Sequence, residues 1–400
     1  MAEKKLTPEQ RALLSVISTS LSGSPAPELT DVDFSAFTRL CLEQKLFPIV
    51  FSATHKSFPR ELFPEAKRRA TLQIMTQTRA TADVLEVLSL AKEKGISLIP
   101  VKGVLCRDLF PEEYLRPSGD EDLFAPEDFD AAESFLLSQG FFVSGGQGTS
   151  VVTFASGKTP LRIELHKSLF PSDGSATGEL NGFFASPATR EYILRSGRAV
   201  TSLEPEAHLL YLILHAYKHF IHSGFGLRQV CDICLWARAY APRIDFSRLF
   251  SDLASVNSDV FALGVFALGA QYLGLSALPE EYDRLPDPLP MLRDILDSGI
   301  YGSSTEDRLH TSNVTASAVA AEKAGKKSSG MFRTLFPGKS VMLSRYPSLK
   351  KSGLLLPFCH VHRIATYLFR SLSPKGPDPG RTVSLAGERI ELLKLYGIIK

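Results

Sequence analysis

Ser97-Leu98-Ile99-Pro100-Val101-Lys102-Gly103 and, a little further on, Arg116-Pro117-Ser118-Gly119-Asp120-Glu121-Asp122-Leu123-Phe124 are short apolar runs punctuated by charges and strand breakers. Each run is too short for a helix and has the length of a strand. Pro126 and a helical pattern through Leu137 to Gly140 follow the second. Phe141-Phe142-Val143, Val151-Val152-Thr153-Phe154 and Leu161-Arg162-Ile163-Glu164-Leu165 complete a set of short strands, with Gly140–Gly148 as a hairpin connection rather than a phosphate loop, since no Lys-Ser/Thr follows it.

Outward from this core the period changes to that of helices. Leu13, Leu14, Val16, Ile17 and Leu21 form one apolar stripe, and Phe37, Leu40, Cys41 and Leu46 another. A long pattern over 61–94, carrying Leu72, Ile74, Met75, Leu85, Val87 and Leu88, stops at Gly95. Beyond Pro205 helices are expected at 205–222, 227–240, 245–256 and 259–274, then at 353–371 and 386–397. The fold class is therefore α+β, a small mixed β-sheet core flanked by N-terminal and C-terminal helical regions. The divisions are a helical region 1–94, the core 95–203, a helical domain 204–301, a Ser/Ala/Lys-rich flexible connection 302–330 and a basic helical region 331–400.

Composition excludes several classes. The chain is 44% apolar, 10% aromatic and 22% charged, which rules out wholesale disorder, a rod or a disulfide-stapled scaffold. A formal charge of +2 gives no global case for nucleic-acid binding, but the charges are segregated. Glu112–Glu133 holds nine acids and one base, Arg116, whereas 323–377 holds no acid and interleaves its bases with Phe332, Phe336, Tyr346, Phe358, Tyr367 and Phe369. That basic stretch is either a docking surface for an anionic partner or a solvated helical face. The N-terminus shows no apolar signal segment, and the five scattered cysteines suit free thiols in a reducing compartment, so a cytoplasmic address is expected. Val260–Pro279 is uncharged, but its glycines and Gln271 read as a buried helix rather than a transmembrane span.

The acids carry the chemistry. Alternation on a strand puts Asp120 and Asp122 on one face, about 6–7 Å apart, with Glu121 on the other. Two close carboxylates fit a divalent cation between them, although a solvated strand start has the same pattern. Glu164 offers a third acid, flanked on its own face by Arg162 and His166.

An apolar strand ending in Lys-Gly, then Tyr, Arg-Pro-x-x-Asp-x-Asp-Leu and an apolar-Glu-Leu-His strand, resembles the uncharacterised nucleotidyltransferase family of the DNA polymerase beta-like nucleotidyltransferase superfamily. Leu209-Leu210-Tyr211-Leu212-Ile213-Leu214-His215 with His219, then Leu227-Arg228-Gln229-Val230-Cys231-Asp232, is similar to its helical part. So is Arg333-Thr334-Leu335-Phe336-Pro337 with Tyr346-Pro347, which brings the resemblance to about 35–370. It implies that Asp120, Asp122 and Glu164 bind two Mg2+ ions and that a nucleoside monophosphate, most plausibly AMP, passes from NTP to a hydroxyl of an unidentified acceptor. It also implies nucleotide contacts from Lys102, Gly103 and Arg116, with Gly103 opening a helix towards the triphosphate. His166, His215 and His219 would shape the pocket. The sequence departs from the superfamily pattern in having Gly103-Val104 for Gly-Ser or Gly-Gly, with Lys102 as a substitute phosphate contact, and Glu121 where an apolar residue is commoner.

Two other readings compete. A non-catalytic nucleotide-binding or scaffolding protein would use the same cleft. A histidine-based metal hydrolase would use His215, His219 and His222, at i, i+4 and i+7, with Asp232, although the Glu of a His-Glu-x-x-His motif is missing. Cys231-Asp232-Ile233-Cys234 has no second cysteine pair and reads as packing.

Overall fold

The structure is a computed structural model and describes residues 5–171, 177–222, 224–298, 346, 355–362 and 379–399. The connection 302–330 lies outside them, as does nearly all of the basic stretch 323–377.

Four helices open the chain. In α1 (Pro8–Ser22) Thr7 and Gln10 form a reciprocal capping box and Gly23 ends the helix in the left-handed region. Asp33 caps α2 (Phe34–Glu43) by accepting from Ser35 and Ala36, and α3 (Phe47–Thr54) leads to α4 (Phe63–Glu93). The buried face of α4 differs from the apolar stripe expected of it. Ala66, Ala70, Gln77, Thr81, Val84, Leu85, Val87 and Ala91 are buried, while Leu72 and Met75 are 59% and 65% exposed. The first half of α4 thus packs through alanines, which carry no long-range apolar signal.

The core is a five-stranded sheet of β1 (Ile99–Pro100), β2 (Glu121–Phe124), β3 (Phe142–Gly145), β4 (Val151–Ala155) and β5 (Ile163–His166), in the order β1-β2-β5-β4-β3. Only β2 and β5 run parallel; the other pairs are antiparallel. Leu123, Val152, Phe154, Ile163 and Leu165 fill the inner face, and the opposite face carries Asp122, Thr153 and Glu164. Between β1 and β2 lie α5 (Gly103–Arg107) and a short turn, and α6 (Phe129–Ser138) follows β2.

A second sheet was not anticipated. The hairpin β6 (Thr189–Ile193) and β7 (Ala199–Leu203) turns at Gly197, and the Ser202 hydroxyl donates to the Pro100 carbonyl at 2.5 Å. Its strands mix charged and apolar residues, so their alternation is faint. Helices α7 (Pro205–His222), α8 (Leu227–Tyr240), α9 (Phe246–Ser255) and α10 (Asp259–Leu273) follow close to their expected bounds, with α11 (Leu289–Ser298) unanticipated. Trp236 on α8 donates to the Pro205 carbonyl at 2.9 Å and packs on His208 and Tyr240. The glycines of α10 serve close helix contact: a Cβ at Gly269 would lie 2.3 Å from Cys234 Sγ. This helix is buried, and among the described residues no helix is long and apolar enough to cross a membrane.

The C-terminal helix α12 (Pro379–Leu395) returns to the body, where Arg389 bonds Asp294 and the Phe220 carbonyl. Buried apolar residues from Leu13 to Ile399 form one continuous cluster. All five cysteines are free and buried, four of them in this cluster and Cys359 in a separate small one with Tyr346 and Leu356.

Beneath β2 lies a buried ion pair. Arg107 Nη1 donates to Glu121 Oε1 at 2.6 Å and to Ser118 at 2.7 Å, with both charged side chains almost fully enclosed. Removing one member of such a pair strands the other charge in the interior, at a cost of about 3–5 kcal/mol. Glu121→Gln is therefore expected to destabilise the protein by an amount in that range, read from the urea midpoint of Trp236 fluorescence.

Candidate active site

The parallel pairing of β2 with β5 sets Asp122 beside Glu164 and Phe124 beside His166. Ligand atoms of Asp122, Glu164 and His166 all lie within 4.8 Å of one another. His166 Nε2 is 3.0 Å from Asp122 Oδ1 and 3.7 Å from Glu164 Oε2. The other oxygen of Asp122 is taken too: Lys102 Nζ, at the end of the β1 turn, lies 2.7 Å from Oδ2. Lys102 also donates to His215 Nε2 on α7 at 3.1 Å, and His219 Nε2 is 3.3 Å from the same atom. A continuous polar chain thus runs from the sheet to α7.

Burial works against every charge here, and neighbours decide each outcome. It pushes the Asp122 carboxyl up, but Lys102 and the His166 hydrogen bond outweigh it and hold the group ionised far below the usual carboxylate range. Burial likewise opposes the Lys102 ammonium, which Asp122 keeps firmly protonated. Glu164 is raised, first by burial and then by the charges of Asp122 and Asp120. His215 is held well below its ordinary value by burial, Lys102 and His219, so it is neutral and accepts from Lys102 through Nε2. Lys218 is lowered by burial and by Lys102.

The structure brings most of the expected residues together. Asp120 stands just before β2, half-buried, and its charge is felt at Glu164 and Lys102, but it is not in the 4.8 Å cluster, where His166 takes the third place. Glu121 faces away from Asp122, as alternation requires, and its carboxylate accepts from the Val104 amide at 3.1 Å. Gly103 does open α5, yet the anion at that helix start is Glu121, not free space for a phosphate. Gly103 has φ +39°, and a Cβ there would come within 1.8 Å of Glu121 Oε2. The glycine is needed for this close approach.

Arg116 is also placed differently from a nucleotide contact. It is buried, with Nε and Nη2 bonded to the two oxygens of Asp232 on α8 at 2.7 and 2.6 Å. This bidentate pair ties the loop before β2 to the helical region. Among the described residues, Asp232 is not one of those that could share a metal ion with the histidines. Two residues were missed, Tyr211 and Lys218, both near the cluster; the Tyr211 hydroxyl is buried without a hydrogen-bond partner among the described residues. Their signal was available, since 208, 211, 215 and 218 recur at helical spacing on α7.

Residues 30–274 match the family described as uncharacterised nucleotidyltransferase. The chain belongs to this family. No curated protein matches it. Among solved structures, an antigenic nucleotidyltransferase-like protein from Paracoccidioides brasiliensis is similar over 46% of this chain and 91% of its own, at 12% identity and a TM-score of 0.29. Membership of the nucleotidyltransferase family supports a role in nucleotidyl transfer.

The donor set fits a divalent cation. Asp122 and Glu164 supply hard oxygens, and His166, whose Nε2 donates to Asp122 Oδ1, stands third in the cluster and orients that carboxylate. Five cysteines and the histidines of α7 form no comparable group among the described residues.

The buried histidine at the start of α7 gives the fold a pH signature. His208 donates from Nε2 to the Val101 carbonyl at 2.7 Å, yet burial lowers it to about 3. The unfolded chain therefore binds a proton that the native state refuses between pH ~6.5 and about 3, so acidification through this window removes stability, roughly 1.4 kcal/mol per pH unit for one such group. His208→Gln retains a donor without titrating. Its stability, measured by urea melts between pH 7 and 5, is expected to fall with acidification less steeply than the wild type, by about one proton.

Proposed function

We propose that this protein is a divalent-cation-dependent nucleotidyltransferase that moves a nucleoside monophosphate from NTP to a hydroxyl of its acceptor. The observation that carries the reading is the convergence of Asp122, Glu164 and His166 on one face of the β2–β5 pair, in a chain of the nucleotidyltransferase family. Asp122 and Glu164 would hold Mg2+, with His166 as a neighbouring donor and Asp120 at the rim. The cation would supply charge stabilisation at the phosphoryl group as the attacking and leaving oxygens exchange.

The chain's own residues supply the rest. His166 fixes the orientation of Asp122 through Oδ1. Glu164, raised by burial and by Asp122, is poised near the acceptor side as a proton-accepting group. Lys102 and Lys218 provide positive charge for phosphates close to the acids. Tyr211, His215 and His219 of α7 stand beside these groups.

A second reading has a specific observation behind it. Both oxygens of Asp122 are engaged by protein groups, and Glu121 occupies the start of α5, as would suit a nucleotide-binding protein that performs no transfer. Pyrophosphate release separates the two. Under the catalytic reading, NTP with Mg2+ and an acceptor extract releases pyrophosphate, and Asp122→Asn lowers the rate by at least about a thousandfold, the loss expected when several kcal/mol of cation stabilisation disappear. Unchanged turnover in Asp122→Asn would overturn the assignment. Nucleotide binding without release in the wild type would favour the second reading.

A further inference from the structure

The Asp122–Lys102 contact is more than a local ion pair. Asp122 is 3% exposed and the Lys102 side chain 19%, so the lysine is the more accessible member of the pair. Asp122 Oδ1 is already committed to His166, which leaves Oδ2 as the oxygen a cation would need, and Lys102 holds it at 2.7 Å. On its other side Lys102 is secured by a neutral imidazole, His215 Nε2 at 3.1 Å. A lysine reaches this seat on a flexible four-carbon stem and binds as a point charge, so it can leave without any backbone movement. Its replacement must be a cation, because an uncompensated buried carboxylate is strongly disfavoured. The group best able to draw the ammonium away is a polyanion.

We propose that Lys102 is a tethered counter-cation that occupies the divalent-cation seat on Asp122 until nucleotide phosphates draw it away. This rests on reading the acidic cluster as a divalent-cation site. In the free protein the ammonium and the metal ion compete for Oδ2, so the metal ion alone binds weakly. Nucleotide phosphates take the ammonium, the carboxylate is released, and the metal ion enters. Cation and nucleotide then bind cooperatively, and linkage requires the effect to be reciprocal. Lys102 is a positioning residue in this scheme, and its exchange of partners involves no proton transfer.

Mn2+ binding to the full chain, followed by the electron paramagnetic resonance of free Mn2+, tests this without turnover. Lys102→Met is expected to bind Mn2+ alone at least about tenfold tighter than the wild type, within the usual range of coupling energies. Its further gain in Mn2+ affinity on adding a methylene-bridged ATP analogue should be smaller than that of the wild type. Lys218→Met is the control, since Lys218 feels Asp122 and Glu164 without a direct bond to either and its removal changes net charge equally. It should shift Mn2+ affinity much less. Equal shifts in the two variants, or no tightening in Lys102→Met, would overturn the tethered-cation proposal while leaving a cation site in place. Absence of Mn2+ binding in the wild type, with and without the analogue, would overturn the cation site and the proposal together. Should Lys102→Met fail to fold, Lys102→Gln, which keeps a hydrogen-bond donor for Asp122 but no charge, carries the same expectations.

Discussion

The ionised carboxylate of Asp122, almost wholly enclosed in the middle of the sheet, is the constraint around which this molecule is arranged. A charge so placed must be matched by positive charge and hydrogen bonds at close range. Lys102 arrives from the end of β1, His166 from β5, and His215 on α7 secures the lysine in turn. Three segments far apart in sequence are thereby drawn to one point, and the helical region is placed over the sheet. The same demand explains why His215 of α7 meets Lys102, while Leu209, Leu212 and Ile213 are buried in the continuous core.

The neighbouring acid solves the same problem on the opposite face. Glu121 and Asp122 are adjacent in sequence but separated by strand alternation, so each has its own cation, Arg107 below and Lys102 above. Glu121 also caps the Val104 amide and packs against the bare Cα of Gly103. The Lys-Gly pair therefore has two separate duties: the lysine neutralises Asp122, and the glycine makes room for Glu121. An anchoring role at Gly103 differs from a phosphate cradle, and it follows from a glutamate standing where apolar residues are commoner. Arg116 extends the pattern, pairing with Asp232 to lock the preceding loop to α8.

The parts of the fold legible in the sequence were those governed by local periodicity. Helices α7 and α8 fall at their expected bounds because apolar spacing and flanking Pro205 and Gly226 mark them. The strands β1 to β5 were readable as short apolar runs, and the i, i+2 logic correctly sent Glu121 away from Asp122. Pairing partners were not readable. That Arg116 meets Asp232, or that Lys102 meets Asp122 and His215, depends on the juxtaposition of β1, β2, α7 and α8, which no local pattern encodes. The hairpin β6–β7 and the alanine face of α4 were missed for a related reason. Their contacts are made by polar, charged or small residues, whose burial is set by what lies opposite.

What remains after the internal pairing is an imbalance, and it points to the chemistry. Asp122 is matched by Lys102, but Asp120 and Glu164 stand close by, and Glu164, raised first by burial and then by the charges of Asp122 and Asp120, holds its proton more tightly. Lys218 lies close enough to help, yet burial and the neighbouring ammonium of Lys102 weaken its own charge rather than reinforce it. A second lysine is therefore a poor remedy for the excess, because two monovalent ammonium groups repel each other in the space between the acids. A single compact ion of charge two avoids that repulsion and draws on oxygens from both strands at once. The parallel pairing of Asp122 with Glu164 brings carboxylates of two strands to one point, and β-strand register, rather than any one side chain, is what does so.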